Sequence, residues 1–518
     1  MNRTSTVTAS WPGSRAALWR PAGGTPPLRG PVVILLTFSG LLLTLVIIGI
    51  SPLMAVALMS LLVLGISVLA RPPLALLLLF IGAGLPSLLI PFPGHTIRLV
   101  EPALLLALLA ILFKRPGLRL RLPHLFMVLF VVIGCISFFH VPQISTDLNA
   151  YAADKRLYEL LLISIAFFCG TALISSIKNV SSVLVVILLC NIPLYLIALA
   201  QALKIPLPPF LEVSGAQIPA LADGRLWGPT SGAATFGLYL VNLFIVALIC
   251  WAHGGRKRNQ IIGAMMTIAT ALAIIGSGTR SAAVAAAITA VVFLLLTRRF
   301  KLLLVMVLVV GILGVIFQDK ILPLFAHDPS SITNRFFLWQ EAMALIVSHP
   351  WIGIGLQQFP MYYAQLIVSP ATTLNQHGIS IHNQYLEFAV ESGIAWLLVG
   401  VLLMLSCIST CWQAYRRAPR KHQGLLLAAA LAMLATMITS FVDVPLDKTE
   451  VAVFLFLLVG MALGYAERFR PRIPVKADLA CPPHPPAGTT LSCPPANVAN
   501  IQGAVASSPS GLLRKRYI

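Results

Sequence analysis

Fourteen apolar runs dominate the chain, and each is near the roughly 17–25 residues needed to cross a hydrocarbon core. They fall at 32–50, 53–70, 73–92, 99–113, 124–140, 157–177, 181–201, 232–252, 260–277, 281–297, 301–317, 388–412, 424–443 and 450–466, with 99–113 the weakest. Backbone placed in lipid has to pair its N–H and C=O groups within the segment, so runs of this kind fold as helices. Of the 518 residues, 58% are hydrophobic and only 10% charged, whereas soluble domains carry about a quarter charged residues. The expected fold is therefore all-α: a polytopic membrane protein.

Lysine and arginine set the orientation, because cytoplasmic loops keep positive charge. With the N-terminus inside, the basic loops 114–124, 253–260, 297–301 and 415–423 and the tail are all cytoplasmic, and all but nine of the 36 lysines and arginines fall on the cytoplasmic side of the chain, the N-terminal arm included. Of the 16 acidic residues only Glu467 and Asp478 do. The formal charge of +20 then records topology and contact with anionic membrane lipids. No nucleic acid is expected as a partner, because the basic runs are short loops between spans rather than one surface stripe. The nine outer cations are Arg98, Lys155, Arg156, Lys204, Arg225, Arg280, Lys320, Arg335 and Lys448. A cation kept on that side against the charge rule needs another reason, and phosphate binding is one.

The chain divides into a disordered basic cytoplasmic arm (1–30), a first block of spans (31–317), a polar outer interval (318–387), a last block of spans (388–466) and a disordered cytoplasmic tail (467–518). Six of the eight cysteines sit in apolar runs and two in the tail, which gives no extracellular disulfide framework. Inside the interval, Phe336, Trp339, Ala342 and Ile346 recur at helical spacing and His349-Pro350 ends the pattern. That predicts an amphipathic helix over 331–347, lying along the outer leaflet. A second short helix is expected over 359–367, and the chain returns to the membrane through IHNQYLEFAVESG, residues 381–393.

Three outer segments carry the candidate chemistry. His382 stands where the interval re-enters the membrane, flanked by Asn383, Tyr385 and Glu387. Glu387 and Glu391 lie near the start of a helix, where its dipole favours acids. Arg280 lies in GSGTRSA, at the N-terminus of the tenth span, where its charge adds to unpaired backbone amides and to the hydroxyls at 277, 279 and 281. The bland alternative is a capped helix with Arg280 pointing to water. Arg225 lies in GRLWGPT, where small residues let a backbone approach a ligand; it also fits a side chain reaching to lipid headgroups. Arg156, beside Asp154 and Lys155, is expected at the water boundary, with phosphate contact as a lesser reading, and Arg335 is a further outer cation.

Arginine stays protonated and offers forked donors to phosphate oxygens, while histidine is best poised to accept a proton near neutrality. A donor on a lipid diphosphate would place its phosphates at headgroup depth. His382 would then deprotonate a sugar hydroxyl that attacks the anomeric carbon, and Arg225 and Arg280 would stabilise the departing diphosphate. No D-x-D or H-E-x-x-H pattern occurs, so the expectation is no metal and no cofactor, with inversion from a single displacement.

Arg335, Trp339, Ala342, Pro350, Gly353, Gly355 and Phe359, then His382-Asn383-x-Tyr385-Leu386-Glu387, Glu391 and Gly393, resemble the O-antigen ligase and O-antigen polymerase family, and GSGTRSA is similar to that family's outer arginine turn. The resemblance implies a fold related to type C glycosyltransferases, 12–14 transmembrane helices with a large periplasmic helical loop, in a bacterial inner membrane. It implies an undecaprenyl-diphosphate-linked polysaccharide as donor, the lipid A core oligosaccharide as acceptor for a ligase, and His382, Arg280 and Arg225 as site residues on the periplasmic face. An O-antigen polymerase of the same family is the alternative. A transporter or flippase is the reading from another class, disfavoured because few charged residues fall mid-span.

Overall fold

The computed structural model describes residues 67–68, 73–86, 89–92, 95–114, 120–140, 147–177, 182–205, 225–300, 329–366 and 380–469. The expected arm (1–30), the runs 32–50 and 301–317, nearly all of 53–70 and the tail beyond 469 lie outside the described residues. In chain order the elements are α1 (Pro73–Gly84), β1 (Leu89–Phe92), β2 (His95–Arg98), α2 (Val100–Lys114), α3 (Leu122–Phe139), α4 (Asp147–Leu173), α5 (Val183–Cys190), α6 (Ile192–Ala202), α7 (Ala233–His253), α8 (Lys257–Ser277), α9 (Arg280–Leu296), α10 (Pro329–Ser348), α11 (Phe359–Leu366), α12 (Gln384–Arg417), α13 (Gln423–Thr439) and α14 (Thr449–Ala466).

Among the described residues, eight helical segments are long and apolar enough to cross a membrane, with α5 and α6 counted as one, and α1, α2 and α9 are shorter apolar helices. Their outer faces stay apolar. Met265, Ile268, Leu272 and Ile275 form a stripe along α8 that is 60–65% exposed, a surface that only lipid makes favourable. The protein is a multi-pass, helical membrane protein.

Two expected spans differ in detail. The run 73–92 ends as a helix at Gly84, and Leu89–Phe92 pairs antiparallel with His95–Arg98, Leu89 opposite Arg98 and Phe92 opposite His95. Pro86, Pro91 and Pro93 lack the N–H that a continuing helix needs. The run 181–201 is interrupted at Asn191, with Pro193 in the first turn of α6. The Asn191 amide bonds the Ile187 carbonyl (2.8 Å) and accepts the Tyr239 hydroxyl (2.8 Å).

The core is built around α7 and α14, whose residues are almost all buried. Side chains too small to hold helices apart let α14 and α4 meet backbone to backbone. Gly460 and Gly464 face the Phe167 and Thr171 carbonyls, and Gly170 faces the Leu457 carbonyl, the small-xxx-small packing of membrane helices.

The described part of the polar interval folds against this bundle. Helix α10 forms where expected, but its face of Trp339, Ala342 and Ile346 packs on Ile354, Phe359, Ile381 and Val390 instead of on lipid. Phe336, Phe337, Met343 and Val347 are its exposed large apolar residues. The chain after α10 then fills a break in α12. Ser392 and Gly393 leave helical geometry (Gly393 φ 80°, ψ 175°), which frees two carbonyls and one amide. Ile354 N–H bonds the Val390 carbonyl (2.9 Å), Gly355 N–H bonds the Glu391 carbonyl (3.0 Å), and Ile394 N–H bonds the Pro350 carbonyl (2.9 Å). Backbone polar groups left unpaired there would each be costly.

Gly393→Ala is expected to lower stability by about 1–3 kcal/mol or more, because φ is positive and the new Cβ would collide with the Trp351 carbonyl. Gly232→Ala, which puts a methyl into open space at extended φ, is expected to stay within about 0.5 kcal/mol. Thermal melting of the detergent-solubilised protein distinguishes the two.

Candidate active site

The turn between α8 and α9 is made by Gly278 in the left-handed region (φ 62°), whose N–H bonds the Ile275 carbonyl (3.0 Å). Two hydroxyls expected to face a ligand are committed to the fold. Ser277 Oγ accepts the Thr279 N–H (3.2 Å), and Thr279 Oγ1 donates to the Ala233 carbonyl (2.9 Å). Thr279 precedes α9 without a side-chain capping bond, and Arg280 is the exposed first residue of that helix. A helix N-terminus with a guanidinium on it is suited to an anion.

Arg225 reaches the same turn. Its Nε donates to the Ser277 carbonyl (2.9 Å), its side chain lies over Gly278, and Leu226 N–H bonds the Gly276 carbonyl (2.9 Å). Gln201 at the end of α6 secures the loop, accepting Gly228 N–H (2.8 Å) and donating to the Gly228 carbonyl (2.9 Å). Two arginines 55 positions apart in sequence thus share one turn.

His382 is set by what precedes and follows it. Trp339 Nε1 donates to the Ile381 carbonyl (2.9 Å). Asn383 caps α12, accepting from Tyr385 N–H (3.0 Å) and Leu386 N–H (3.1 Å), and donates to the Phe441 carbonyl (3.1 Å). His382 itself takes the left-handed conformation (φ 52°), uncommon for a side chain of that size. Arg335 on α10 donates to the Val442 carbonyl (3.1 Å).

The loop 440–448 joins the segments. Asp443 accepts from Ser281 Oγ (3.4 Å), next to Arg280, and from Val444 N–H (2.9 Å), and it faces His382 electrostatically. Burial above all, with Arg335 and then Lys448, holds the His382 imidazole below its ordinary pKa, while Asp443 partly opposes them. A neutral imidazole at neutral pH can accept a proton. Burial disfavours the Lys448 ammonium, but Asp447, Glu387 and Asp443 outweigh it and raise its pKa. Asp443 and Lys448 act electrostatically on His382, which their sequence context did not reveal.

Arg156 is not at the water boundary. It is buried, bonded to Asp447 (2.8 Å), Glu387 (3.2 Å) and the Leu446 carbonyl (3.3 Å), with Glu159 at 3.9 Å and Glu391 at 4.0 Å. Glu387 is buried in the same cluster and also accepts from Gln384 (3.3 Å). The pair ties α4 and α12 to the 445–449 turn. The Tyr385 hydroxyl donates to the Met437 carbonyl (2.8 Å) and its ring packs on Phe441. Among the described residues no three His, Cys, Asp or Glu side chains are grouped to hold a metal ion.

The other end of the bundle is different in charge. Helix α8 runs from the basic turn 254–258 to the Arg280 turn, so the two lie at opposite ends of it. At the basic end Arg299 donates to the Ala252 carbonyl (3.1 Å) and Arg121 pairs with Glu467.

Residues 264–401 match the family described as O-antigen ligase. The chain is similar to a general O-oligosaccharyltransferase of Acinetobacter baylyi, 26% identical over 27% of this chain and 22% of that protein. It is also similar to the exopolysaccharide production protein ExoQ of Rhizobium meliloti, 24% identical over 29% of this chain and 35% of that protein. The matched segments thus span well under half of either relative. The family match contains the Arg280 turn, α10, α11 and His382, whereas Arg225, Asp443 and Lys448 lie outside it. Over residues 264–401 the chain is thus similar to the O-antigen ligase/polymerase family.

Proposed function

We propose that this protein is an O-antigen ligase that transfers a polysaccharide from undecaprenyl diphosphate to the lipid A core oligosaccharide, on the periplasmic face of a bacterial inner membrane. The observation that carries the reading is the half-buried His382, which feels the charges of Arg335 and Asp443, while Asp443 accepts a hydrogen bond from Ser281 beside Arg280. The family match over residues 264–401 supports the lipid-linked glycan chemistry, and the gathering of basic loops at the far end of α8 supports the sidedness.

In this mechanism the His382 imidazole removes the proton of an acceptor hydroxyl. The oxygen attacks the anomeric carbon from the face opposite the diphosphate, the bond from that carbon to the diphosphate oxygen breaks, and configuration inverts. The leaving diphosphate gains negative charge, which Arg225, Arg280 and the amides opening α9 stabilise without rearranging. Asp443 stabilises the imidazolium that forms, while burial and then Arg335 keep the resting imidazole neutral. Extension of the polysaccharide itself is the second reading, favoured by similarity to an exopolysaccharide production protein; the two differ in acceptor and not in donor chemistry.

With lipid-linked donor and lipid A core acceptor, the purified protein is expected to form the ligated product equally well in chelator. His382→Ala should lose about 10²–10⁴ in turnover, and Arg280→Gln about 10²–10³. A His382→Ala protein at full rate sinks the assignment, and a lengthened donor chain in place of ligated core selects the polymerase reading. The pH profile should fall on the acid side as His382 protonates. Arg335→Gln removes a neighbouring positive charge and should move that limb to higher pH, and Asp443→Asn should move it lower, each by about half to one unit.

A further inference from the structure

A cleft of about 150 Å³ lies on the flank of α10 away from His382, between that helix and α11. Its lining is neither wholly apolar nor wholly polar. Phe359, Tyr362 and Tyr363 supply aromatic surface, Glu341 a carboxylate and Ser348 a hydroxyl. Phe359 is buried and tilts against Tyr363 (centroids 6.1 Å apart), whose ring also meets Phe337 edge-on (6.4 Å), so the platform is held from below and from the side. Among the described residues the Glu341 carboxylate and the two tyrosine hydroxyls have no hydrogen-bond partner.

Aromatic surface beside a carboxylate and hydroxyls suits a sugar ring, which presents C–H groups on its faces and hydroxyls around its rim. The volume is below the roughly 300–1,000 Å³ of a pocket that encloses a drug-sized ligand, so it takes one ring of a longer chain. The cleft is tied to the site through packing. Phe359, Tyr362 and Tyr363 belong to the small core that also buries Ile381, the residue before His382, and Trp339 of α10 bonds the Ile381 carbonyl. An unmodified hydroxylated sugar has no phosphate, and this lining offers it no arginine or lysine, unlike the diphosphate site.

We infer that the cleft between α10 and α11 is a subsite for the acceptor glycan, binding an uncharged or weakly charged sugar ring away from the reacting hydroxyl. This rests on the glycosyl-transfer reading above and names the contact that would select the acceptor.

The test uses the full-length protein in lipid nanodiscs. Tyr362→Ala and Glu341→Gln should each raise the KM for lipid A core about tenfold, with kcat and the donor KM unchanged. Ala344 is exposed and lines the cleft, so Ala344→Trp fills it without disturbing the core and should give the same rise even if a tyrosine variant fails to fold. An acceptor KM unchanged in Ala344→Trp, or a loss confined to kcat or to the donor KM, overturns the subsite. Direct binding of core oligosaccharide freed from lipid A separates this from the parent reading. If the wild type forms no ligated product, the ligase reading fails on its own. The cleft then stands if oligosaccharide binding is weakened in Ala344→Trp and falls if both proteins bind alike or neither binds.

Discussion

Backbone amides and carbonyls that are out of reach of water must find partners, and each segment of the site is placed by that requirement. The break at Ser392–Gly393 is filled by Pro350, Ile354 and Gly355, which fixes the start of α12 against α10. The α8–α9 turn is closed by Leu226 N–H and Arg225 Nε on the Gly276 and Ser277 carbonyls. The end of α13 is covered by Asn383, Gln384 and Arg335 on carbonyls from Ser440 to Asp443. Site side chains are themselves among these donors. The arrangement that satisfies the backbone is therefore the one that gathers Arg225, Arg280 and His382 at one end of the bundle.

A second constraint lies beneath. Arg156 is surrounded by Glu159, Glu387, Glu391 and Asp447, and Thr449 donates to Glu159 (2.7 Å). Removing charges from water is costly unless they are paired and hydrogen-bonded, and breaking one partner away is worse than never having the pair. Such a cluster resists sliding of α4 against α12 or of either against the 445–449 turn. Lys448 pairs with Asp447 (3.4 Å) and also faces His382, so the brace and the imidazole share a neighbour. The electrostatic setting of His382 is tied in this way to the packing of the helices below it.

The sequence was most informative where a residue punctuates the backbone. Gly278 and Thr279 mark the α8–α9 turn, Asn383 marks the start of α12, and His349-Pro350 marks the end of α10, as the structure places them. It was least informative where meaning depends on a distant partner. Arg156 sits in a run with Asp154 and Lys155 that reads as a water boundary, yet those two are exposed while Arg156 and Glu159, one helical turn apart, face inward. Asp443 and Lys448 occupy a short charged turn with no periodicity, and only its meeting with Ser281 and His382 gives them a role. Apolar content alone could not separate the helix at 73–84 from the hairpin that follows it. The face of α10 was legible as apolar, but whether protein or lipid covers it is decided by Ile354 and Phe359, which come later in the chain.

The most direct measurement is a structure of the full-length protein in a lipid nanodisc with undecaprenyl diphosphate bound. The diphosphate should lie within hydrogen-bonding distance of both Arg225 and Arg280 at the N-terminus of α9, with the His382 imidazole facing the space next to its terminal phosphate. Diphosphate held elsewhere in the bundle, or held by those arginines with His382 turned into a separate compartment, would contradict a shared site.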